Sequence, residues 1–67
     1  MLTLSINGER RQFFGPLTVA GLLESLELAG KRVAVECNGA IVPRGLHAAT
    51  SLTEGDRLEI VVAVGGG

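Results

Sequence analysis

Aromatic residues are nearly missing from this chain: it has no Trp, no Tyr and only two Phe. Its core must therefore be built from Leu, Val, Ile and Ala. A single cysteine, Cys37, excludes an internal disulfide, which agrees with a reducing compartment. Neither sign of charge dominates, since six basic and seven acidic residues leave a net charge of −1. Without a basic stripe to neutralise phosphates, no nucleic-acid partner is expected. No apolar run approaches the roughly 20 residues of a membrane span, and the N-terminus lacks the charged-then-apolar layout of a signal peptide. A cytoplasmic protein without a membrane partner is expected. There is no P-loop, no cluster of His and Cys and no serine beside an evident base, so no catalytic residue, metal ligand or bound cofactor is assigned. A chain of 67 residues buries only about 60% of the surface its unfolded form exposes, which leaves no room for a large active-site cavity.

What is present is organised around the last ten residues. Leu58-Glu59-Ile60-Val61-Val62-Ala63-Val64 is β-branched and apolar as a strand should be, and Gly65-Gly66-Gly67 then follow at once. Upstream, Leu2, Leu4 and Ile6 alternate with Thr3 and Ser5 in a first strand. Asn7-Gly8 supplies a hairpin turn into a second strand over Arg10 to Phe14, which buries at least one of Phe13 and Phe14. Val19, Leu22, Leu23 and Leu26 recur at helical spacing behind Thr18 as N-cap, and Gly30 suits the left-handed C-cap, so a helix is predicted from about Val19 to Ala29. Val33, Val35 and Cys37 form the inward face of a third strand, turned by Asn38-Gly39. Ile41-Val42 before Pro43 is a short edge. Leu46, Ala48, Ala49 and Leu52 make either a helical turn or a crossover lining, and Thr53 to Asp56 turn into the last strand.

A helix across a hairpin-plus-strands sheet is an α+β roll. To avoid leaving both apolar terminal strands as edges, the last strand inserts centrally and parallel to the first. That is a β-grasp, with a mixed sheet of four to five strands, a domain over 1–64 and a flexible tail at 65–67. Leu58 and Ile60 reach the core, so Val61 to Val64 continue past it as an exposed apolar surface for a partner.

The isolated polar residues read as structure. His47 is a solvated or packing residue of a loop, and Cys37 is a small hydrophobe in the core. Glu24 with Glu27, Glu54 with Asp56, and Arg10-Arg11 are solvated faces or turn polarity. The terminal glycines carry the sharper possibility. A carboxylate is a poor electrophile until it is activated, most simply as an acyl-adenylate. A tail without Cβ atoms threads a narrow cleft and leaves its carboxyl group unhindered. Nothing here binds ATP, so a separate enzyme would have to activate it. A passive flexible terminus remains the other reading of the tail.

The sequence resembles the ThiS family of sulfur carriers in thiamine biosynthesis, which are ubiquitin-like. The resemblance spans the chain. It rests on Thr18-Val19 with Leu22-Leu23, on Asn38-Gly39-Ala40-Ile41-Val42-Pro43-Arg44, and on Gly55-Asp56-Arg57-Leu58-Glu59-Ile60 running to Val64-Gly65-Gly66-Gly67. It implies that a ThiF-type adenylating enzyme, using ATP, activates Gly67. The activated end then becomes a thiocarboxylate, with sulfur from a desulfurase or persulfide protein, and a ThiG-type thiazole synthase receives it. Gly65 and Gly66 would form the tail, and Val62 and Val64 would touch partners. The carrier would be a co-substrate, not an enzyme. The small subunit of molybdopterin synthase shares fold and tail, but prolines commonly precede its glycines and are missing here. A ubiquitin-like protein modifier and a plain interaction module are the remaining alternatives.

Overall fold

The computed structural model describes residues 1–63. Five strands form one mixed sheet in the order β2-β1-β5-β3-β4. β1 (Leu2–Ile6) and β2 (Glu9–Phe13) pair as an antiparallel hairpin. Asn7 (φ 52) and Gly8 (φ 84) turn it, both at the positive φ that a type I′ turn needs. The helix α1 (Val19–Ser25) follows, then β3 (Val33–Cys37), β4 (Ala40–Val42), one 3-10 turn over Arg44–Leu46, and β5 (Arg57–Val62). β5 lies in the middle, parallel to β1 and antiparallel to β3, as the sequence predicts. The central place gives the strand that carries the core residues Leu58 and Ile60 two neighbours. The arginine-bearing β2 and the three-residue β4 become the edges, where charge and shortness discourage further pairing.

The core lies between α1 and one face of the sheet. Val19, Leu22 and Leu23 of the helix pack with Leu4, Ile6, Val35, Leu58 and Ile60. A fully buried Leu contributes roughly 1.5–3 kcal/mol over an exposed one, so Leu4, Leu22 and Leu58 dominate the stability of this small domain. Phe13 packs at the margin and Phe14 is exposed. Cys37 is likewise packed at the margin of the core, half-buried.

One local expectation is corrected. The helix begins as predicted, with the Thr18 hydroxyl accepting from the Gly21 amide at 3.1 Å, but it ends at Ser25 and not Ala29. Glu27, at φ 60, takes the left-handed terminating position. The Leu28 amide donates back to the Leu23 carbonyl at 2.7 Å and the Glu27 amide to Glu24 at 3.0 Å, a Schellman pair. Leu28 thereby folds back against the core, and Gly30 serves the following turn. Of the two readings of His47, solvated or packing, the structure has the second: it is buried. Its Nε2 donates to the Val42 carbonyl at 3.1 Å, and its own carbonyl accepts from Ala20 at 2.9 Å. The loop after β4 is thus tied to both the edge strand and the first turn of α1. Within that loop Leu52 is buried, while Leu46, Ala48 and Ala49 are exposed. No helix among the described residues is long and apolar enough to cross a membrane. The predicted boundary after residue 64 and the tail at 65–67 lie outside the described residues.

Candidate functional site

The candidate site is the far end of β5, where the chain leaves the sheet. Alternation along a strand assigns its backbone groups as well as its side chains. The carbonyls of Asp56 and Leu58 accept from Ser5 and Asn7 on the β1 side at 3.0 and 2.8 Å. The carbonyl of Arg57 accepts from Asn38, and the amide of Ala63 donates to Arg32, on the β3 side at 2.7 and 2.9 Å. β1 ends at Ile6, opposite Leu58, so from there onward β5 has backbone pairing only with β3, as far as Val33 opposite Val62. One side chain continues the lost ladder. Asn7 Oδ1 accepts from the Ile60 amide at 2.7 Å, and Asn7 Nδ2 donates to the Ile60 carbonyl at 3.0 Å.

Side chains divide by the same alternation. Val62 follows Leu58 and Ile60 on the helix-facing side, opposite Val33, and is 37% exposed. Val61 points to the uncovered face, opposite Ala34, and is 63% exposed. Of the residues expected to touch partners, Val62 therefore sits at the core margin. Val64, and with it Gly65, Gly66 and Gly67, lies outside the described residues. Val61 is the exposed neighbour that the period-two pattern of Leu58, Ile60 and Val62 already marks as outward.

At the opposite end of β5 the geometry is that of a turn and not of a reaction centre. Asp56 binds the Thr53 amide (2.8 Å), the Thr53 hydroxyl (3.1 Å) and Asn38 Nδ2 (3.0 Å). Burial works to raise its carboxyl pKa, but these hydrogen bonds favour the anion and hold it below the ordinary value. Burial pushes the Cys37 thiol up, and the Asp56 carboxylate pushes it further, so the reactive thiolate is disfavoured there. Glu54 accepts from the Thr3 amide at 2.9 Å. A surface depression of about 450 Å³ is lined by Glu36, Asn38, Gly39, Arg57 and Glu59, a charged rim without the apolar walls that small-molecule sites favour. Among the described residues no cluster of three His, Cys, Asp or Glu side chains is placed to hold a metal. Glu24 and Glu27 are exposed on and after the helix, and Arg11 lies 5.7 Å from the Phe13 ring centroid.

Comparison with known proteins gives a consistent picture. A sequence model of the ThiS family matches residues 4–67. The crystal structure of the thiamine biosynthesis protein ThiS from Geobacter metallireducens superposes with a TM-score of 0.82 at 35% identity, covering 98% of this chain and 100% of that one. Thiazole synthases from Paramagnetospirillum magneticum and Magnetococcus marinus are 46% and 41% identical over 66 residues, which are 98% of this chain but 20% of theirs. The chain thus spans a fifth of the length of these relatives.

Proposed function

The chain belongs to the ThiS family, and from that premise we propose that it is a sulfur carrier for the thiazole moiety of thiamine, acting through the carboxylate of Gly67. The observation that carries this reading is the extent of the family match, which runs from the first strand through the terminal glycines and so includes the groups that would react. A ThiF-type partner would transfer AMP from ATP onto that carboxylate with loss of pyrophosphate, replacing a poor leaving group by a good one. The outer sulfur of a persulfide carried by a desulfurase or persulfide protein would then attack the acyl carbon and displace AMP. A thiol would cleave the resulting acyl disulfide, leaving the thiocarboxylate on Gly67 and a disulfide on the donor side. The likeness to two thiazole synthases supports a ThiG-type enzyme as the acceptor of the sulfur. The carrier supplies no catalytic side chain and binds no ATP in this scheme. Its contribution is presentation: Gly67 offers the carboxylate, and Val61, Val62 and Val64 meet the partner.

Mass spectrometry tests the chemistry. Incubation with the adenylating enzyme, ATP and a sulfur source should increase the mass by the difference between one sulfur and one oxygen, confined to the C-terminal peptide. Residues appended after Gly67 should abolish the gain without changing the circular dichroism spectrum. An unchanged mass beside a demonstrably active enzyme sinks the carrier reading.

A further inference from the structure

We propose that Asn7 is a positioning residue for this reaction: its carboxamide completes the β1–β5 ladder at Ile60 and so fixes where the chain leaves the sheet toward Gly67. The inference rests on the carrier reading for its consequence but not for its geometry. Both polar atoms of the side chain are used on one residue, Oδ1 on the Ile60 amide and Nδ2 on the Ile60 carbonyl, at 2.7 and 3.0 Å. In a continued parallel ladder two backbone groups on the β1 side would fill these places, the carbonyl of one residue accepting from the Ile60 amide and the amide two residues further on donating to the Ile60 carbonyl. The backbone cannot, because Asn7 at φ 52 has already turned into the hairpin, and its own amide makes the last β1 bond, to Leu58 at 2.8 Å. The orientation of the carboxamide is determined by these contacts, since a flipped group would set donor against donor and acceptor against acceptor. Asn7 itself is exposed and adds nothing to the core.

The other Asn-Gly turn provides a natural control. Asn38, also at φ 52, extends the β3–β5 ladder at the opposite end of the strand, where its Oδ1 accepts from the Arg57 amide at 2.9 Å. Each turn asparagine therefore adds one rung where a neighbouring strand has ended. Only the rung at Ile60 adjoins the segment that leads to Gly67. Past it, the described hold on the chain comes from β3, paired with Val61 and Val62, and from Arg32 just before it, which accepts from the Ala63 amide. Fixing the backbone of one residue shifts an equilibrium by roughly tenfold. A departure point already fixed in the free carrier spares the partner that cost on binding, so its loss belongs in KM and not in kcat.

The test compares Asn7→Gly with Asn38→Gly, which each remove a side-chain rung while keeping a residue at ease with positive φ. Asn7→Gly should speed amide exchange at Ile60 and Ala63 by about tenfold or more, and should raise the KM for the carrier in adenylation roughly tenfold with kcat within about twofold. Asn38→Gly should leave Ala63 exchange and KM at their wild-type values. If the two variants shift KM equally, or if Ala63 exchange ignores Asn7→Gly, the assignment is overturned. Should Asn7→Gly fail to fold, Asn7→Asp keeps the acceptor for the Ile60 amide but opposes the Ile60 carbonyl, and the same readouts apply. If the wild-type chain takes no sulfur, the carrier reading fails, and Ala63 exchange alone decides the clasp.

Discussion

Glu27 is the residue whose conformation least suits its chemistry. It sits at φ 60 without hydrogen-bonding its side chain to anything described, in the position where helices commonly place glycine. A left-handed conformation costs an ordinary L-residue roughly 1–2 kcal/mol, part of which glycine would return through its more mobile unfolded state. Glu27→Gly should therefore stabilise the domain by about 0.5–1 kcal/mol and raise its thermal midpoint by a few degrees. A lowered midpoint would show that the Glu27 side chain contributes something its exposure does not reveal. The same residue explains why one end of the helix was legible and the other was not. Thr18 announces itself because capping is local, its hydroxyl reaching an amide three residues on. The C-terminus is decided by Leu28, which reaches the core only if the chain reverses at Glu27, and that need is invisible beside a glycine at position 30.

Among the elements, β5 was the most readable and also held what could not be read. Its apolar alternation and the need to protect both terminal strands predicted a central, parallel placement, which the sheet order has. The roles of Asn7 and Asn38 were hidden for a physical reason. Asn-Gly is a complete local signal for a turn, whereas the rung Asn7 supplies joins residues 53 positions apart. The start of β5 also sets a pH dependence. Asp56 has a folded pKa below its ordinary 3.8, so its contribution is full above that value and is lost as the pH falls through the lower folded one. Asp56→Asn should therefore be less stable than the wild type at neutral pH, and the gap should narrow in acid below about pH 4. Chemical denaturation at the two pH values measures it. A gap that stays constant would mean that the loss comes from the turn hydrogen bonds and not from the charge.

For the molecule as a whole, the decisive asymmetry is that a single helix covers only one face of the sheet. The opposite face, uncovered among the described residues, carries Val61 at 63% and Ile41 at 69% exposure, while the domain keeps its large aliphatics on the helix side. Period-two alternation then separates two neighbours that sequence reading grouped together. Val62 continues the row of Leu58 and Ile60 beside Val33, so a charge there meets the margin of the core; Val61, beside Ala34, lies on the other face and is largely exposed. Val61→Asp should accordingly leave the unfolding midpoint within the small range of surface substitutions, about 0.5 kcal/mol, while raising the KM for the carrier in adenylation. Val62→Asp should lower both stability and loading. The comparison separates recognition from packing, because a partner that reads only the glycines would be indifferent to Val61→Asp. An unchanged KM in that variant would move the partner surface off the face that carries Val61 and leave the end of the chain as the whole of what is recognised.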